Sequence, residues 1–143
     1  MGKTFEDLRM WQLGRELVNE VYKFTRGSSF RNDQDLSRQM RRAAISIISN
    51  IAEGYERNSN REFSRYLLIA KGSCGELRAQ CYIAQDQEYG STKLIIELCN
   101  QCSRMIEAYR LKLVDSTEHY VKEEICELGT PFEGSFDERT DVH

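Results

Sequence analysis

Apolar residues recur at helical spacing over most of the chain, in four blocks parted by short polar breaks. The first block spans Thr4 to Thr25. Leu8, Trp11, Val18, Val21, Tyr22 and Thr25 fall mostly on one face, which Leu13, Leu17 and Phe24 widen. Thr4 with Asp7 has the form of a capping box, and Arg26-Gly27-Ser28-Ser29 stops the helix with a glycine just past its last turn. The second block spans Asp35 to Arg57, with Asp33 or Asp35 near its positive end. A polar break follows. Ser59-Asn60-Arg61-Glu62 is a capping box for the third helix, which continues to about Glu88. Gly90 closes that helix, and Ser91 caps a fourth over about Thr92 to Leu113. Connections this short predict an all-α, antiparallel up-down-up-down four-helix bundle. The single proline, Pro131, agrees with long uninterrupted helices.

Two helices carry more apolar surface than one core needs. In helix 2, Met40, Ala44, Ile47 and Ile51 form the stripe, bordered by Ala43, Ile48 and Tyr55. Ile45 and Ala52 lie far from its centre, and Ser46 and Asn50 sit on the opposite border. In helix 3, Phe63, Tyr66, Leu67, Ala70, Cys74, Leu77, Cys81 and Ala84 make the core stripe, while Leu68, Gly72, Gly75, Ala79 and Ile83 occupy the back. A mid-helix glycine costs about 1 kcal/mol relative to alanine. Gly72, Gly75 and Ala79 share one face and leave a shallow groove for a second helix. The expected use is a homo-oligomer interface comprising Ile45, Leu68, Gly72, Gly75, Ala79 and Ile83. The competing reading covers these faces within one chain. Either way Asn50 is expected to bond to another helix, because a buried amide without partners costs about 1–3 kcal/mol.

A chain of 143 residues suits one domain with a tail, and that length buries a core without disulfides or metal. The net charge of −3 hides an asymmetry. Residues 1–113 carry 18 Lys and Arg against 14 Asp and Glu, while residues 114–143 carry 2 against 9. The expected organisation is a bundle over 1–113 and an acidic tail over 114–143. In the tail, Asp115 to Leu128 forms a short amphipathic helix, and the stretch from Gly129 is poorly ordered. No apolar run reaches the roughly 18 residues of a membrane span. The N-terminus lacks a signal-peptide core, and Glu6 breaks the myristoylation pattern after Gly2. The expected location is cytoplasmic. Five cysteines spread along helices do not make a disulfide framework.

The stretches 5–22, 36–77 and 104–113, above all Gln39-x-Arg41-Arg42-Ala43 through Ser49-Asn50-Ile51-Ala52-Glu53-Gly54, resemble a bacterial four-helix-bundle family. Its founding members are encoded by intervening sequences within large-subunit (23S) ribosomal RNA genes. The resemblance covers about residues 4–113 and implies an antiparallel bundle in a ring-like homopentamer. A distant branch is the accessory variability determinant of diversity-generating retroelements, a basic pentamer that binds a reverse transcriptase and nucleic acid. This chain departs from the pattern at Ile48, where the family usually has proline, at Phe30-Arg31, where it has Phe-Pro, and in its acidic extension.

The candidate chemistry is electrostatic. Arg38, Arg41, Arg42, Arg57, Arg61 and Arg65, with Lys71 and Arg78, are the candidate nucleic-acid contacts. Arginine pairs with phosphate bidentately, and repetition round an oligomer adds weak contacts through counterion release. The competing reading is a solvated face of ion pairs, with Arg38 and Arg42 near Glu53 and Glu56, or Glu62 near Arg65. Tyr55, Tyr66 and Tyr82 suit core packing better than base stacking. Cys99-x-x-Cys102 with Cys74 and Cys81 resembles a metal or redox set, but lies on helices rather than zinc knuckles or a helix start, so neither metal nor cofactor is expected. The only histidines, His119 and His143, fall in the tail, and no phosphate loop or catalytic triad exists, so no enzyme is expected. Glu53 is expected to pair with Arg57 or an arginine of helix 3. Two readings remain. One is a homo-oligomeric accessory protein binding RNA or DNA, acting on ribosomal RNA or with a reverse transcriptase, its tail competing with phosphate. The other is a homo-oligomeric protein-interaction scaffold that binds no nucleic acid.

Overall fold

The computed structural model describes residues 3–127, with side chains through residue 116. A 3-10 turn over Phe5–Asp7 leads into α1, Arg9–Thr25, and a second 3-10 turn over Ser28–Phe30 leads into α2, Gln34–Glu56. α3 spans Asn60–Asp86 and α4 spans Lys93–Glu127. The described residues contain no strand, and the four helices pack as a bundle around one core.

The caps explain the helix starts. The Asp33 carboxylate accepts from the Leu36 N–H at 3.1 Å, and the Ser59 hydroxyl accepts from the Glu62 N–H at 3.3 Å. Asp7 accepts from the Thr4 N–H at 2.9 Å, but this closes only the 3-10 turn, and α1 starts four residues later than its cap predicts. The stops differ from expectation in chemistry. Glu88, not Gly90, takes the left-handed position after α3, at φ 61°. Its N–H donates to the Gln85 carbonyl at 2.9 Å, and the Tyr89 N–H donates to the Ala84 carbonyl at 3.0 Å. These are the two bonds of a Schellman turn. Asn58, at φ 53°, plays the left-handed part after α2.

Neighbouring helices meet at several named points. Gly54 of α2 lies against Tyr66 and Phe63 of α3, and Ser46 bonds to Ser73. Gly14 of α1 lies against Ile48, and Thr25 bonds to Arg41. Lys71 of α3 pairs with Glu107 of α4, and Gln85 bonds to Thr92.

The core follows the predicted stripes of α2 and α3 and extends them: Leu36, Ser37, Gly54, Ser73 and Gln80 are also buried, whereas Tyr66 is only half-buried. In α1 the buried line is Met10, Leu13, Gly14, Leu17, Val21 and Thr25. This face is rotated from the expected one. Trp11 stays half-buried at the rim, edge-on to Phe5 at 5.1 Å, because an indole is too large to close over fully there. α4 also runs without a break past residue 113, where the sequence pattern placed the end of the bundle. The stretch expected to be poorly ordered lies outside the described residues. No helix among the described residues is long and apolar enough to cross a membrane.

Candidate self-association face and arginine clusters

The outer side of α3 is open. Leu68, Ile69, Tyr82 and Ile83 are 36–51% exposed. Gly72, Gly75 and Ala79 lie exposed among them, and a methyl group added at either glycine would meet nothing within 4 Å. No described residue of the subunit occupies the space beside either glycine. Tyr82 belongs to this face rather than to the core. Ile45 lies elsewhere. It lines two shallow depressions on the α1–α2 side with Tyr22, Val18 and Arg38. The six expected interface residues thus form two surfaces, five on α3 and one beside α1.

Between the outer faces of α2 and α3 runs a polar relay. The Asn50 amide donates to the Ser46 carbonyl at 2.8 Å and to the Ser46 hydroxyl at 3.0 Å. The Ser46 and Ser73 hydroxyls are 2.8 Å apart, and Ser73 donates to the Ile69 carbonyl at 3.2 Å. Asn50 therefore bonds within its own helix, against expectation, and reaches α3 only through the two serines. Ser46 lies one helical turn before Asn50, within reach of its amide.

The arginines separate into two groups at opposite ends of α2. Arg42 and Arg57 are fifteen positions apart, about 22 Å along the axis. At the first end, the Arg41 Nε–H donates to the Thr25 hydroxyl at 2.8 Å, and its guanidinium lies 4.5 Å from the Tyr22 ring centre. Arg38 is 4.0 Å from Asp35, and Arg42 has no ion-pair partner among the described residues. The expected pairing of Arg38 and Arg42 with Glu53 and Glu56 does not form, since those acids sit about three to five turns away. Arg26 also approaches Tyr22, at 5.6 Å. Sequence reading missed Arg26 and Arg31 because they lie in a helix stop. The one available signal was Arg26 four positions after Tyr22.

At the second end, Arg57 donates to Glu53 at 3.1 Å and to the Tyr66 hydroxyl at 2.8 Å. The Glu53 carboxylate holds the Arg57 guanidinium above its ordinary pKa. Arg65 pairs with Glu62 at 3.0 Å, as the solvated-face reading expects, and Arg61 has no ion-pair partner among the described residues. Tyr55 is half-buried and donates to the Lys3 carbonyl at 2.8 Å.

Elsewhere the titratable groups serve packing. Cys74, Cys81, Cys99 and Cys102 are free and buried. Burial pushes the Cys74, Cys81 and Cys102 thiols up to about 12 and raises Cys99 as well, so all four are protonated at neutral pH. They act as small apolar side chains. Among the described residues no group of His, Cys, Asp and Glu has the arrangement to hold a metal ion. Glu107 accepts two hydrogen bonds from Arg110, at 2.7 and 2.9 Å, and pairs with Lys71 at 3.3 Å. The Arg110 bonds are the main reason its carboxyl titrates at about 2. His143 and the His119 side chain lie outside what the structure describes.

No curated protein matches this chain. The family profile described as 23S rRNA-intervening sequence protein matches residues 6–109, which takes in α1, α2, α3 and the first half of α4. The chain therefore belongs to the 23S rRNA-intervening sequence protein family.

Proposed function

We propose that this chain is a non-enzymatic accessory protein of nucleic-acid metabolism. Its bundle is antiparallel, up-down-up-down, and works as a homo-oligomer, a ring-like pentamer by family resemblance. The observation that supports this reading is the open glycine face of α3. Gly72 and Gly75 each cost about 1 kcal/mol of helix stability, and no neighbour among the described residues fills the space they leave. A second copy approaching along that face does need it. Leu68, Ile69, Tyr82 and Ile83 would supply apolar area around the close approach.

A ring repeats every exposed arginine once per subunit, which makes weak phosphate contacts additive. The family's association with ribosomal RNA genes supports nucleic acid as the partner. The competing scaffold reading shares the same assembly. It is favoured at the second arginine group, where Glu53 and Glu62 already occupy Arg57 and Arg65.

Gly75→Leu tests the assembly. The variant should keep its helical circular-dichroism signal and lose mass by light scattering. An unchanged oligomer removes the α3 face from the interface.

A further inference from the structure

We infer that the concave surface at the α1–α2 end is a phosphate-binding cleft centred on Arg41, occupied by the sugar–phosphate backbone of RNA. This rests on the nucleic-acid reading above and gives it a site.

Three adjoining depressions of about 350, 430 and 530 Å³ make up the cleft. The first two share Gln34, Ser37 and Arg41, and the last two share Tyr22 and Ile45. Lys23, Arg26, Arg31, Arg38, Arg41 and Arg42 line them, and no Asp or Glu does. In a chain of net charge −3, this is a strong local surplus of one sign. Two neighbouring acids pair with cations of the cleft, which leaves Arg26, Arg31, Arg41 and Arg42 without an ion-pair partner among the described residues. Asp35 touches only Arg38, at 4.0 Å, and Glu20 touches Lys23 at 3.1 Å. Asp33 accepts from the Tyr89 hydroxyl and from its own helix start. The other depressions differ, since Lys3 is matched by Glu56 in one, and Lys23 faces Glu16 and Glu20 in another.

Arg41 makes the cleft more than a charged patch. Thr25 holds its Nε–H at 2.8 Å and in turn donates to the Val21 carbonyl at 2.8 Å, so the anchor is itself anchored. Tyr22 backs the guanidinium plane at 4.5 Å. The other four N–H groups have no partner among the described residues. A planar fork held in place, with free donors and no carboxylate beside it, matches two phosphate oxygens with little ordering left to do. Arg38 and Arg42 are one turn apart on α2, about 6 Å, and extend the positive track beyond it.

The test is fluorescence anisotropy of a labelled single-stranded RNA against full-length protein over a range of KCl, with calorimetric titration of pyrophosphate alongside. Arg41→Gln/Arg42→Gln should weaken RNA binding at least tenfold and flatten the slope of log K against log salt by about 1.4, at about 0.7 per phosphate lost. Arg42→Gln alone, at a position with no partner to lose, should show about half that change in slope. Arg61→Gln/Arg65→Gln, at the far end, should bind as wild type. Cleft variants that bind normally while the far-end variant fails would overturn the cleft and leave the nucleic-acid reading standing. Pyrophosphate binding that needs Arg41, without RNA binding, supports the phosphate site and assigns it a free phosphate ligand instead. Failure of wild type to bind either ligand at low salt overturns both readings. Displacement of RNA by polyglutamate at equal charge overturns phosphate recognition in favour of an acidic protein segment.

Discussion

Glycine to alanine should have opposite effects at two helical positions of this bundle. At Gly72 the added methyl meets nothing within 4 Å, so the change acts through helix propensity alone. Alanine gains about 1 kcal/mol over glycine in an exposed helix interior. At Gly54 the same gain is opposed by contact. The new Cβ would stand 2.7 Å from the Tyr66 Cβ and 3.3 Å from a Phe63 ring carbon. The Tyr66 Cβ is fixed to the α3 backbone and has no rotamer that moves it away. Carbon atoms rest at about 3.5–4.0 Å, so α2 and α3 must part by close to 1 Å where they are most tightly joined. Overpacking of this kind costs about 1–3 kcal/mol. The net expectation is a loss of up to about 2 kcal/mol for Gly54→Ala and a gain of about 0.5–1 kcal/mol for Gly72→Ala. Urea unfolding followed by circular dichroism measures both, as shifts of midpoint at constant slope. Because association stabilises the folded state, Gly72→Ala is read at the lowest protein concentration that gives signal. A Gly54→Ala protein more stable than wild type would refute the tight contact of α2 with α3, and a destabilised Gly72→Ala protein at that concentration would refute the open face.

Two further outcomes follow from the titrating groups. Glu107 titrates at about 2 when folded against about 4.3 when unfolded, so its stabilisation is fully present above pH 5 and fades as pH falls towards 2. With its side chain 29% exposed, screening leaves about 1 kcal/mol. Glu107→Gln should therefore be less stable than wild type at pH 7 and converge with it near pH 2 in urea titrations. Cys74, Cys81, Cys99 and Cys102 should resist an aromatic disulfide reagent at pH 8 in the native protein and react once urea unfolds it. Rapid native labelling at these sites, mapped by peptide mass spectrometry, would contradict their burial.

Helix existence was legible because α2 and α3 announce themselves twice, by apolar spacing and by the caps Asp33 and Ser59. Their core stripes follow from periodicity, since only one face can turn inwards. What periodicity misses is identity across an interface. Gly14 and Gly54 are packed against neighbours, whereas Gly72 and Gly75 are not, and a single sequence treats all four alike. Asn50 found its partner one turn back, a local option that outcompetes a distant helix. The six candidate arginines read as one set because they are close in sequence, yet a straight α2 holds them apart in two groups. Arg26 and Arg31 join the first group only because the α1–α2 connection folds back beside α2.

The bare backbone positions on either side of α2 also fix how the bundle transmits force. Gly14 receives Ile48, and Gly54 receives the Tyr66 stem. Sliding α1 by one turn, about 5.4 Å, would set Met10 or Val18 against Ile48, and sliding α3 would set Asn50 or Asn58 against Tyr66. None of these four side chains fits where a glycine is required. Shear between these helices is thereby blocked, and α2 behaves as a stiff rod with an arginine group at each end. A load applied at one end must reach the other as rotation or translation of the whole body.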